Sequence, residues 1–219
     1  MAWRFGHRLK ALAATDRPEL RAYAGASWPD ARTPFAQIPL LAVDFELDGL
    51  ARDAHVLQAG WIGFDASGIP LAQAESHDVR SQRRLDDRAV AVHGIGEDRA
   101  RSGVPVETMI LRLIRALAGQ VMVAHGAAIE RGVIARLSKA HFGVEIPVRS
   151  ICTLKLERRL NPNLVGTDAY RLAATRSRYN LPDFPQHDAL SDALGAAELL
   201  LAQLSRMGPD PGLGAIDDW

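Results

Sequence analysis

Three short stretches of this 219-residue chain carry the side chains best suited to chemistry. The first is Asp44-Phe45-Glu46, where the apolar run from Ile38 to Phe45 ends. Side chains alternate along a strand, so both carboxylates point to one side and Phe45 to the other. Like charges that close raise each other's proton affinity unless a cation lies between them. Oxygen ligands at the end of a buried strand suit Mg2+ or Mn2+, which bridge carboxylates to a substrate phosphate. The plainer reading is an acidic turn, because Asp48-Gly49 follows at once. The second stretch, Val123-Ala124-His125-Gly126-Ala127-Ala128-Ile129-Glu130, leads from a strand into a helix. Taken alone, His125 reads as a structural histidine at a strand end, and Glu130 as a solvated helix residue paired with Arg131 or Arg136. The third is His187-Asp188-Ala189-Leu190-Ser191-Asp192, preceded by Leu181-Pro182-Asp183-Phe184-Pro185. The prolines place His187 in a loop at a helix entrance and Asp192 about one turn inside. By itself that pattern describes a capped helix.

The elements that would have to position these groups can be read from periodicity. The run Ile38 to Phe45 suits a buried central strand. Residues 55 to 64 read as a second strand, and turn chemistry at Asp65-Ala66-Ser67-Gly68 leads to a third from about Ile69 to Val79. The period then changes. Val106, Met109, Ile110, Leu113, Ile114 and Leu117 fall at helical spacing until Gly119, followed by a strand over Val121 to Ala124 and a helix over residues 127 to 141. A strand near 147 to 153 and helices at about 153 to 160, 169 to 179 and 188 to 207 complete the pattern. Strands first, then helix and strand in alternation, imply a mixed sheet flanked by helices in α/β style. The first 36 residues, with Pro18, Pro29 and Pro34, read as an appendage with at most one short helix around Arg8 to Ala14.

Composition narrows the function classes. With 47% hydrophobic residues the chain buries a sizeable core, and 26 basic side chains balance 26 acidic ones, so no global field attracts nucleic acid or membrane. A local field is another matter. Between residues 131 and 180 there are ten basic residues (Arg131, Arg136, Lys139, Arg149, Lys155, Arg158, Arg159, Arg171, Arg176, Arg178) against three acids, Glu145, Glu157 and Asp168. That is either a phosphate-binding face or a set of solvated helix surfaces. The single cysteine, Cys152, closes no disulfide, and no Cys/His cluster has zinc-finger spacing. The apolar patch Ala11 to Ala14 is too brief for a signal peptide, and no stretch has the length of a membrane span. A cytoplasmic protein without a membrane partner is expected.

In order and spacing, Val43-Asp44-Phe45-Glu46-Leu47-Asp48-Gly49-Leu50, Val56-Leu57-Gln58-Ala59-Gly60, His93-Gly94-Ile95, Val123 to Glu130, Cys152-Thr153-Leu154 and His187 to Ala193 resemble one family. The chain is similar to the DnaQ-like, DEDDh-type 3′ to 5′ exonucleases, which include the proofreading epsilon subunit of bacterial DNA polymerase III, over about residues 38 to 205. The resemblance implies a ribonuclease H-like α/β fold, a mixed five-stranded sheet flanked by helices, with residues 37–207 as exonuclease domain, 1–36 as N-terminal appendage and 208–219 as C-terminal tail. It implies that Asp44, Glu46, Glu130 and Asp192 hold two Mg2+ or Mn2+ ions and that His187 is the general base of a two-metal hydrolysis. Leu47 and Asp48 would border the terminal base, and His93 and Ile95 would line its pocket. The implied substrate is the 3′ end of a single-stranded nucleic acid, DNA favoured, with a DNA polymerase subunit as a further partner. Faintly, Gln203-Leu204-Ser205-Arg206-Met207 resembles the clamp-binding peptides of replication proteins, against the plainer reading of a helix end.

Two departures from the family pattern stand out. Leu47-Asp48 replaces two threonines, adding a charge. Gly126 replaces an asparagine, and Glu130 an aspartate, which lengthens the carboxylate arm by one methylene. An alternative follows: a weak or inactive module that keeps the fold and binds nucleic acid or a polymerase. An endonuclease of the same fold fits less well, because His187-x4-Asp192 follows the exonuclease pattern.

Overall fold

The computed structural model describes residues 2–49, 51, 53–81, 93–166, 168–208 and 210–218. Leu50 of the first motif, together with Met1, Pro209 and Trp219 of the two terminal segments, lies outside the described residues. The apolar run at Ile38 becomes strand β1 (Leu40–Leu47), followed by β2 (Val56–Phe64), β3 (Ala74–Asp78), β4 (Val121–Ala124) and β5 (Ser150–Cys152). Their order across the sheet is β3-β2-β1-β4-β5. β1 runs antiparallel to β2, and β2 to β3, whereas β4 runs parallel to both β1 and β5. This is the mixed five-stranded sheet expected from the change of period. The third strand is shorter than expected. Pro70 has no N–H to give a ladder, Leu71–Gln73 form a 3-10 turn, and pairing starts only at Ala74.

Among the described residues the helices are α1 (Ala2–Ala13), α2 (Pro18–Gly25), α3 (Glu97–Ser102), α4 (Val106–Leu117), α5 (Ala128–Phe142), α6 (Thr153–Leu160), α7 (Leu172–Arg178), α8 (Ala189–Leu204) and α9 (Leu213–Ile216). None is long and apolar enough to cross a membrane. The appendage holds two helices rather than one. Pro18 stands at the start of α2, where a missing N–H costs nothing and the fixed φ helps.

Alternation along β1 divides the core in two. Leu41, Val43 and Phe45 pack with Leu113 of α4, Ile134 of α5, and Leu12, Leu20 and Tyr23 of the appendage. Leu40 and Ala42 face the other way, toward Leu156, Ala193, Ala197 and Leu200. Helices therefore cover both faces of the sheet, and α8 lies across β2 and β1. The segment expected as a tail folds back instead. Leu213 and Ile216 are buried in the second cluster, and Asp217 bridges to Ile151 of β5.

Candidate active site

The alternation that sends Phe45 into the first cluster turns Asp44 and Glu46 toward the face covered by α8. Opposite them on β2 stand Gly60, paired with Asp44, and Gln58, paired with Glu46. Both bring the entrance of α8 onto the sheet. A Cβ on Gly60 would lie 2.2 Å from the backbone N of Leu190, so only glycine allows this approach. Buried Gln58 accepts the Ala189 N–H through Oε1 at 2.9 Å and donates from Nε2 to Asp188 Oδ2 at 3.2 Å. Asp188 in turn caps α8 by accepting the Ser191 N–H at 3.0 Å. One turn on, Asp192 accepts the backbone N–H of His187 at 2.8 Å. His187 is exposed and left-handed, with φ of +62°.

Ligand oxygens of Asp44, Glu46 and Asp192 consequently lie within 4.8 Å of one another. Glu130 is delivered by β4, which runs parallel beside β1 and turns at Gly126 into α5. The φ of Gly126, +111°, is open to glycine and strained for asparagine. Glu130 does not join the triangle at that mutual distance. Even so, its charge is the largest of those acting on Asp44, ahead of Asp192, Glu46 and Asp188. Burial first, and then these four carboxylates, hold Asp44 well above the usual carboxylate range. Burial pushes Glu130 up to about 8. It also pushes Asp192 up to about 6, against the opposing hydrogen bond from His187. Glu130 Oε2 is buried with no hydrogen-bond partner. Carboxylates crowded in this way, one with an orphaned oxygen, fit a hard divalent cation: its charge would relieve the repulsion, and its coordination would satisfy the free oxygen.

The plain reading of Glu130 as a solvated helix residue does not hold. Its expected partners are engaged elsewhere, Arg131 with Ser150 and Asp218 and Arg136 with the Ala54 carbonyl. His125 is the structural histidine of the plain reading, between Thr153 Oγ1 at 2.9 Å and the Tyr170 carbonyl at 2.7 Å, and burial lowers its proton affinity. Among the residues expected to border the nucleotide, Leu47 lines a cavity of about 430 Å³ with Gly49, Ala51, Ala128, Ile129 and Arg136. Asp48 instead closes the turn after β1, where its Oδ1 accepts the His55 N–H at 2.7 Å. His93 sets its Nδ1 against Glu46 Oε2. Ile95 is wholly buried with Leu57 and Ala100 and presents no surface to a ligand.

Much of the basic stretch has partners within the fold. Arg149 and Arg176 are buried, bound to Asp217 and Glu198. Arg131 and Lys155 hold Asp218, Arg178 holds Glu157, Arg171 holds Asp168, and Arg158 lies over the Tyr170 ring. Lys139, Arg136 and Arg159 donate to carbonyls. Nor is Gln203 part of an accessible peptide, since it is buried and donates to Thr153 O and Glu157. Gln58 is the positioning residue that sequence reasoning passed over. Its signal was a lone amide in an otherwise apolar strand, a group that must find partners once buried.

The family model for exonucleases matches residues 41–200. No curated protein matches the chain. Among solved structures, exonuclease X in complex with 5′ overhanging duplex DNA is 25% identical with a TM-score of 0.63, covering 80% of this chain and 98% of that one. The nuclease domain of 3′hExo, a DEDDh family member bound to rAMP, is 13% identical with a TM-score of 0.63, covering 76% and 92%. E. coli exonuclease I in complex with a 5cy-dT13 oligonucleotide is 15% identical with a TM-score of 0.64, covering 78% of this chain and 41% of that one. The last two likenesses concern the fold, which is ribonuclease H-like.

Proposed function

The chain belongs to the exonuclease family, and from that premise we propose that it hydrolyses phosphodiester bonds from the 3′ end of a single-stranded nucleic acid, DNA favoured. The observation that supports this most is the convergence of Asp44, Glu46 and Asp192 within 4.8 Å, with Glu130 buried beside them. These four carboxylates would hold two Mg2+ or Mn2+ ions. When bound, divalent ions supply charge stabilisation at the entering and leaving oxygens of an in-line displacement and make water nucleophilic at neutral pH.

The chain's own residues do the rest. His187 is exposed at the mouth of the site, where its imidazole accepts the proton of the attacking water. The new water–phosphorus bond forms as the bond from phosphorus to the 3′ oxygen breaks, releasing a nucleoside 5′-monophosphate and a shortened strand whose 3′ oxygen takes a proton from solvent to become a hydroxyl. The hydrogen bond from His187 N to Asp192 keeps the base in register with the carboxylates. The cavity lined by Leu47 and Ile129 is bordered by β1 and α5, the elements that carry Glu46 and Glu130, and has the size of a nucleotide subsite. The DNA in the exonuclease X complex supports the preference for DNA.

The test uses a 3′-labelled single strand with Mn2+. We expect stepwise shortening that EDTA stops and that Asp44→Asn loses. A strand that stays intact with wild-type protein while binding it measurably would overturn the proposal in favour of a non-catalytic module.

A further inference from the structure

Glu46 belongs to two ligand triangles. One is the all-oxygen set with Asp44 and Asp192. In the other, the ligand atoms of Glu46, His93 and His187 also lie within 4.8 Å of one another. The two sets differ in chemistry. Oxygen ligands suit Mg2+ and Mn2+, whereas two imidazoles and a carboxylate suit Zn2+ and similar borderline ions, with a fourth position open to water.

Two of the three ligands in this mixed set, Glu46 and His93, already lie side by side on ordered backbone. Glu46 is buried on β1, and the His93 side chain is only 14% exposed with Nδ1 against Glu46 Oε2. Behind His93 the chain is pinned by Ile95, fully buried against Leu57 and Ala100. The third ligand is the more adjustable one. His187 is exposed, and its ring stands edge-on to His93 with centroids 6.1 Å apart at 75°. Ligand atoms about 2.1 Å from a shared tetrahedral ion stand about 3.4 Å from one another. Glu46 and His93, which touch directly, would part to that spacing as an ion enters between them, and His187 would swing in to complete the set; both adjustments are side-chain rotations that leave the sheet in place. The carboxylates of Asp44 and Asp192 lie within 4.8 Å of the shared Glu46.

We propose that Glu46, His93 and His187 form a second cation site, selective for Zn2+ and similar borderline ions, whose occupation shuts the enzyme off by engaging the imidazole of His187. The binding half of the proposal stands apart from the nuclease reading; the inhibition half rests on it.

The experiment titrates Co2+ into the metal-free 219-residue protein without nucleic acid, follows the visible absorption, and then displaces the ion with Zn2+. We expect an intense four- or five-coordinate band, lost on Zn2+ addition and retained in Asp44→Asn. His93→Ala and His187→Ala should each weaken binding by at least about 10-fold. His187 is exposed, so its variant remains folded and keeps the test decisive if His93→Ala unfolds. Equal affinity in wild type and both histidine variants would overturn the site, as would a thiolate charge-transfer band pointing to Cys152. In an active preparation, Zn2+ stoichiometric with protein should depress Mn2+-supported hydrolysis by about 10² to 10⁴ in wild type, the same loss as removing the His187 imidazole. Full activity with the Co2+ band present would overturn the inhibition while leaving the site. A preparation that cannot hydrolyse any strand still reports on the site through its spectrum.

Discussion

Substituting Gly60 with alanine tests how closely the carboxylate cluster depends on one strand–helix approach. The added Cβ would lie 2.2 Å from Leu190 N, 2.4 Å from Ala189 C and 2.5 Å from Leu190 Cα, all backbone atoms that cannot rotate away. Restoring an ordinary contact of 3.4 Å requires the entrance of α8 to retreat by about 1.2 Å. That displacement stretches the 2.9 Å hydrogen bond between Ala189 N and Gln58 Oε1 beyond bonding range. It also carries Asp192 and His187 away from Asp44 and Glu46, which stay on β1. Overpacking of this kind costs about 1–3 kcal/mol, and each kcal/mol lowers the melting temperature by about 2–4 °C in a chain of this size. A misplacement of about 1 Å costs about 100-fold in rate. The assay is kcat on the labelled single strand with Mn2+, run below the melting temperature of the variant. Gly6→Ala, where nothing lies within 4 Å of the new methyl, serves as control and should remain as active as wild type. A folded Gly60→Ala protein with kcat within about threefold of wild type would refute the reasoning.

Three further outcomes are expected. His187→Ala should lower kcat by about 10² to 10⁴ while calorimetry shows Mn2+ binding intact, and lost Mn2+ binding would count against a role as base. Glu130, pushed up to about 8, and Asp192, pushed up to about 6, retain protons in the folded chain that the unfolded chain has released. Stability of the metal-free protein should therefore fall as pH rises from about 4 to about 8, and Mn2+ should offset the loss; melting curves in EDTA that stay flat over this range would contradict it. Gln58→Ala leaves the buried Ala189 N–H without its acceptor, so it should cost about 1–3 kcal/mol in denaturant unfolding and reduce kcat as well. An unchanged midpoint would show that the clamp is dispensable.

Much of this arrangement was legible in the sequence because it is local. The apolar run ending at Asp44, the period change at Val106 and the proline-flanked entrance at His187 each follow from a few consecutive residues, and the structure has strands and helices there. Elements that depend on context were harder to read. Pro18 looks like a breaker until it stands at a helix start, and the third strand could not be trimmed to Ala74 without its partner β2. The ten basic residues between 131 and 180 suggested a phosphate face, but the folded chain spends them on Asp217, Asp218, Glu157, Glu198, Asp168, the Tyr170 ring and backbone carbonyls. Ile95 sat in a promising motif and proves to be core.

The sequence by itself determined which residues could bear charge near one another and which faces of each element were apolar, since periodicity and residue type are properties of the chain alone. Only the tertiary structure decided that Asp44 pairs with Gly60 and Glu46 with Gln58, that α8 seats there, and that Glu130 stays buried with a free oxygen. Those outcomes depend on strand register and helix approach, which are fixed by the packing of segments far apart in sequence, and a one-residue slip would have turned the same carboxylates into the opposite core.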